Sequence, residues 1–254
     1  MVVSTSGEAR LILQRVARDF REQNWISVFL ELFVVVVGIF LGLRADAWNE
    51  ARRDRIRERV HLEQIYAELG TDVDELKDLS DSQSEIASNL MFAIGIVKRG
   101  KIAPDEVDRF KWAIMLAVRY PPATIQRAGY DTLIASGDFS ILQDPDLRTR
   151  LVRLYSDFDG MPKRLEALIG NRSSDSPYSA EVVYAVPHPS GKGVLWKVDF
   201  ESVKDNPATL GYLANQRRNH TLIGRMYADA ASRAAELREY IGDLTGQEDA
   251  SDHN

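Results

Sequence analysis

His61, His188, His220 and His253 are the side chains whose ordinary protonation changes near neutral pH, and the chain has no cysteine. No two histidines share a spacing such as H-x-x-x-H, so the sequence offers no zinc pair and no nucleophile–His arrangement. Without cysteine there is no thiolate nucleophile, disulfide or thiolate-bound metal. The acidic cluster Asp72, Asp74, Glu75, Asp78 and Asp81 carries oxygens that could suit calcium. It lacks the glycine at loop position six and follows helical periodicity, so it reads as a solvated helix face. Gly191-Lys192-Gly193 resembles part of a phosphate loop. The first glycine, the terminal Ser or Thr and the strand-then-helix setting are all missing, so it reads as a turn. These residues predict no catalytic group, no metal and no cofactor, and hence a protein that is not an enzyme. The alternative is an enzyme whose carboxylates and His220 come together only on folding.

One further carboxylate, Glu31, lies inside an apolar run, Trp25 to Leu43 (WISVFLELFVVVVGIFLGL). A hydrocarbon layer of about 30 Å needs roughly 20 apolar helical residues, which predicts a transmembrane helix over 25–43. Trp25 and Trp48 flank the run and Arg44 follows it at once. All three are expected as anchors at the membrane–water boundary. Gly38 and Gly42 form G-x-x-x-G, a spacing that lets two helix backbones approach, and with Glu31 they are the expected helix-pairing residues. A cleaved signal peptide is disfavoured, because Glu8, Asp19 and Glu22 precede the run and charge crowds the small residues Ala45 and Ala47 after it. Arginines on both sides leave the orientation open.

The remaining elements follow from periodicity. Residues 1–24 form a tail with a short amphipathic helix over 7–23, and residues 44–246 a helical domain; residues 247–254 read as a disordered tail. Within the domain, apolar stripes predict helices over 45–79, 84–99, 105–120, 130–136, 145–158 and 207–244. Val182–Val186 and Val194–Phe200 are β-prone on either side of PHPSGKG, which suits a small β-hairpin near 182–200. The expected fold class is therefore mainly α, a single transmembrane helix continuing into a helical bundle. Net charge is −6, with both signs intermixed, and no basic face argues for nucleic acid.

FLELFVVVVGIFLGLRADAWNEARRDR and YDTLIASGDFSILQDPDLRTRLVRLY resemble an uncharacterised bacterial family catalogued as domain of unknown function 6090. Glu31, Gly38, Trp48, Asn49 and Glu50 match its anchor pattern, Ala47 replaces the usual first Asn, and Tyr130, Leu133, Ser136 and Gly137 match its Tyr-x-x-Leu-x-x-Ser-Gly segment. The resemblance covers about a third of the chain. It implies a single-pass protein of the bacterial inner membrane with a helical domain, and no activity. The expected role is a membrane-anchored interaction, scaffold or accessory protein. Its partners would be the lipid bilayer, a second copy in a homo-oligomer and an unidentified protein. The alternative is a tethered ligand-sensing domain that signals through a partner.

Overall fold

The computed structural model describes residues 25–170, 182–190 and 192–247, with side chains described from residue 29 on. The expected N-terminal amphipathic helix and nearly all of the C-terminal tail lie outside the described residues. The chain divides into two compact units, 1–56 and 57–254. One helix, α1 (Trp25–Arg99), contributes to both.

The sequence suggests a break between 79 and 84, and none exists. Ser80, Asp81, Ser82 and Gln83 include no Pro or Gly, and the inward stripe runs on from Leu76 through Gln83 to Ile86 and Leu90, all buried. Gly100, with φ of +65°, follows α1 in the left-handed conformation that a glycine adopts without a Cβ clash. A 3-10 turn at Pro104–Glu106 leads into α2 (Val107–Leu116). This helix stops four residues short of the expected Tyr120, and the Ala117 carbonyl instead meets His220 Nε2 at 2.9 Å.

Beyond an extended strap, 118–127, come α3 (Ala128–Ala135) and a 3-10 turn, Asp138–Ser140. The long helix α4 (Pro145–Ile169) starts where Asp144 accepts the Asp146 N–H and Pro145 takes the first helical position. It continues through Pro162, well past the expected end at 158. Strands β1 (Val183–Pro187) and β2 (Val194–Val198) form the expected antiparallel hairpin, pairing Val183 with Val198 and Tyr184 with Lys197. The last helix, α5 (Pro207–Thr245), repeats the same start, with Asn206 accepting the Ala208 and Thr209 N–H groups ahead of Pro207.

Two apolar clusters hold unit 57–254 together. In the first, Leu62, Ile65, Leu69, Val73 and Leu76 of α1 meet Leu147, Leu151, Leu154 and Phe158 of α4 and Ile223, Tyr227, Ala234 and Ile241 of α5. In the second, Ile86, Leu90, Ala93 and Val97 of α1 pack with Phe110, Ala113 and Ile114 of α2, Val183 of β1 and Leu213 of α5. Each large side chain removed from water contributes about 1.5–3 kcal/mol, which is the main term favouring the fold.

Among the described residues no helix is long and apolar enough to cross a membrane. A stretch of 18 residues starting at Phe29 already takes in Glu31, Arg44 and Asp46. The expected span over 25–43 is therefore not carried by the described side chains alone.

Gly137 has φ of +77°, and an added Cβ would meet nothing within 4 Å. Its substitution tests backbone strain free of any clash. Gly137→Ala is expected to lower the unfolding free energy by about 1–2 kcal/mol, read from urea denaturation midpoints.

Candidate functional site

The residues singled out in unit 1–56 lie on open surface. Glu31, Gly38, Gly42, Arg44 and Trp48 are all exposed, and a Cβ added at Gly38 or Gly42 would meet nothing within 4 Å. At about 100° per residue, Glu31, Gly38 and Gly42 fall within about 60° of one another around the helix. The Arg44 guanidinium sits 5.2 Å from the centre of the Phe40 ring. The side chain of Trp25 lies outside the described residues.

In unit 57–254, a polar face of α1 holds the segment 124–143 by its backbone. Glu75 accepts the Thr124 N–H at 2.6 Å, Asp72 accepts the Gln126 N–H at 2.7 Å, and Glu68 accepts the Gly129 N–H at 2.9 and 3.0 Å with its two oxygens. About two and three turns further towards the N-terminus of α1, His61 Nε2 and Arg57 Nη1 meet the Asp138 carboxylate at 3.0 and 2.9 Å. Glu58 closes the series by accepting the Gln143 N–H at 2.9 Å. Hydrogen bonds to charged groups are worth about 1.5–3 kcal/mol each when sheltered, so this face contributes substantially to the fold. At Gly129 the packing is tight: an added Cβ would stand 3.0 Å from the Ile65 side chain and 3.1 Å from Glu68, so these neighbours would have to give way.

One correction follows. The acidic cluster is not wholly a solvated face, since Asp72 is fully buried and Glu75 is committed to the strap. The Tyr-x-x-Leu-x-x-Ser-Gly segment is structural in each of its named positions. Tyr130 stacks on Tyr155 with ring centres 4.0 Å apart, and Leu133 is fully buried. Ser136 Oγ accepts the Asp138 N–H, and Gly137 supplies the left-handed turn.

The electrostatics of this face are uneven. Burial pushes the Asp72 carboxyl up from 3.8 to about 6, against the lowering effect of the Gln126 N–H, and Glu68 and Glu75 push the same way as burial. Its Oδ2 is buried with no hydrogen-bond partner among the described residues, as is the hydroxyl of Tyr155. The hydrogen bond from His61 holds Asp138 below the usual carboxylate range.

Beneath the strap lies a cavity of about 220 Å³. Ala123 and Ile125 of the strap, Phe158, Met161, Pro162 and Leu165 of α4, and Tyr227 of α5 wall it, with Arg127 and Asp159 at its rim. Arg127 bridges Asp131 and Asp159 there, and Tyr227 Oη donates to the Pro121 carbonyl at 2.7 Å. The cavity is apolar with one ion-paired edge, a form suited to a small, largely apolar molecule.

A second polar group lies between the two apolar clusters. His220 is fully buried, and its Nδ1 and Nε2 lie 2.6 Å from Gln83 Oε1 and 2.9 Å from the Ala117 carbonyl. Burial lowers its pKa, so the ring is neutral and has one N–H to give. That N–H goes to Ala117. The Gln83 amide then satisfies Nδ1 only when turned over, which also employs its otherwise unpartnered Nε2. Tyr120 stacks on His220 at 4.5 Å and donates its hydroxyl to Gln216, and burial pushes the phenol up to about 12. The sequence carried a signal for this group. Leu213, Gln216, His220, Ile223, Tyr227, Ala230, Ala234, Leu237 and Ile241 step by three and four, so Gln216 and His220 occupy positions of an otherwise apolar stripe.

Of the remaining histidines, His61 is bound to Asp138 and His188 contacts Ser190 within the hairpin loop; His253 lies outside the described residues. Among the described residues, no three His, Cys, Asp or Glu side chains are grouped to hold a metal ion. No protein-family model, curated protein or solved structure matches this chain.

Asp72 and His220 have opposite signs in their linkage to pH. The raised folded pKa of Asp72 gives a contribution that is complete below about 3.8 and lost as pH rises through about 6. The depressed pKa of His220 gives one that is complete above 6.5 and lost as pH falls below it. Asp72→Asn keeps an oxygen for Gln126 and removes the buried charge. It is expected to raise stability at pH 7.5 by about 1–3 kcal/mol and to leave a profile that declines below pH 6.5. Denaturant titrations at pH 5, 6, 7 and 8 check both.

Proposed function

We propose that this chain is a single-pass membrane protein whose helical unit 57–254 acts as an interaction or scaffold module, self-associating through its anchor. The supporting observation is the surface of α1 from Phe29 to Leu43. Eleven large apolar side chains there, among them Phe29, Phe33, Val36, Phe40 and Leu43, are between 54% and 72% exposed on every side of the helix. A helix apolar all round belongs in lipid or against a partner rather than in water. With Ile26, Ser27 and Val28 the run reaches 18 residues, Ile26 to Leu43. At a 1.5 Å rise that is about 27 Å, close to the hydrocarbon thickness.

Glu31 lies near one end of the run, within reach of the headgroups by extending its side chain. Arg44 and Trp48 mark the other end. Gly38 and Gly42 on the same face as Glu31 allow two anchors to meet closely. The partners of this reading are the lipid of the bacterial inner membrane, a second copy and a protein not yet identified. Nucleic acid is not among them, because the charges are mixed. The cavity of about 220 Å³ favours a second reading, in which unit 57–254 senses a small apolar ligand and passes the signal to a partner.

Fractionation of bacteria expressing the chain tests the anchor. The protein is expected in the membrane pellet after alkaline carbonate washing. The double variant Val35→Arg, Ile39→Arg is expected in the supernatant, since each arginine costs about 2.5–3.5 kcal/mol near the centre of a span. Wild-type protein in the soluble fraction would overturn the proposal. With no native cysteine, Ser156→Cys at an exposed site of α4 reports the side of the membrane through an impermeant maleimide. Gly38→Ile with Gly42→Ile is expected to lower the cross-linked dimer yield several-fold.

A further inference from the structure

We propose that the strap over the apolar cavity is a proton-controlled latch: a proton on Asp72 keeps the strap closed, and loss of that proton lets it lift. This does not depend on the membrane reading, since every group involved belongs to unit 57–254.

The strap has no helix or strand of its own between Ala117 and Ala128. Its burial alternates, with Ala123, Ile125 and Arg127 turned partly inward and Thr124 and Gln126 exposed. It is fastened to α1 through the N–H groups that Glu75 and Asp72 accept, and to α5 through Tyr227 Oη on the Pro121 carbonyl. Lifting it would remove the cavity wall supplied by Ala123 and Ile125.

Asp72 is the fastening that can change. On its own helix it has Glu68 four residues before it and Glu75 three residues after, both carboxylates that oppose its ionisation. From α4, Tyr155 interacts with it electrostatically and has its hydroxyl buried without a partner among the described residues; from α5, Tyr227 lies in the field of Glu75, and its hydroxyl is already committed. From the strap and α3 come Arg127 and Asp131, paired to one another and to Asp159. Among the described residues no cation is paired with Asp72. An ionised Asp72 is thus a buried anion with one donor, Gln126 N, on Oδ1 and none on Oδ2. Protonated, it is neutral and still accepts from Gln126. With the strap raised, water solvates the carboxylate and it returns to an ordinary acidity, so the proton and the closed strap favour each other.

A closed-state value of about 6 and an open-state value of 3.8 set the scale. The open-to-closed ratio is expected to rise about tenfold between pH 5 and pH 8. Amide hydrogen exchange of the full-length chain, corrected for the intrinsic pH dependence of exchange, reads this ratio. Protection at Thr124 and Gln126 is expected to fall about tenfold over that range, while the Ser136 amide, bonded to the Thr132 carbonyl within the α3 region, stays level. Asp72→Asn is expected to make the strap amides independent of pH. A level wild-type profile overturns the proposal whether or not the variant folds. So does an equal fall at Ser136, or an unchanged pH response in Asp72→Asn.

Discussion

The structure of unit 57–254 depends on carboxylates of one helix accepting backbone donors from a segment with little regular structure. A buried N–H without a partner costs as much as a lost hydrogen bond, so a segment such as 118–143 cannot lie against a core unless acceptors are brought to it. Helix α1 brings them at intervals of three, four and ten residues, at Glu75, Asp72, Glu68 and Glu58. The segment runs the opposite way, from Thr124 to Gln143. Arg57 and His61 invert the pattern once, offering donors to the carboxylate of Asp138. With the segment fixed, Leu133 and Leu142 reach the core and Asp144 stands where α4 begins.

Much of the fold follows from local chemistry, and those parts are legible in the sequence. Asp144-Pro145 and Asn206-Pro207 each combine an N-cap acceptor with a residue that needs no donor, so the starts of α4 and α5 are marked. The hairpin is marked by β-prone runs around a Pro- and Gly-rich turn. The end of α4 is not, because Pro162 suggests a stop that packing of Met161 and Leu165 overrides.

What sequence reading missed depends on distant partners. Gln83 looks like part of a polar break, and only His220, 137 residues away, makes it an interior residue. Asp72 looks solvated among other acids, and its partner is a backbone N–H, which has no signature in the sequence. The cavity escapes for the same reason, since its walls come from the strap, α4 and α5 together. The resemblance drew attention to Tyr130, Leu133, Ser136 and Gly137, and in this structure they stack, fill and turn.

The polar group around His220 also answers a question that apolar packing leaves open. The stripe of α5 repeats every seven residues, so a slide of seven against α1 would again set apolar on apolar almost everywhere. At one level it would not. Gln83 would then face Leu213 or Tyr227, and His220 would lose both Gln83 and the Ala117 carbonyl, at about 1–3 kcal/mol for each group left without a partner. Gln83 and His220 therefore fix the helix register, selecting one alignment from a repeating set.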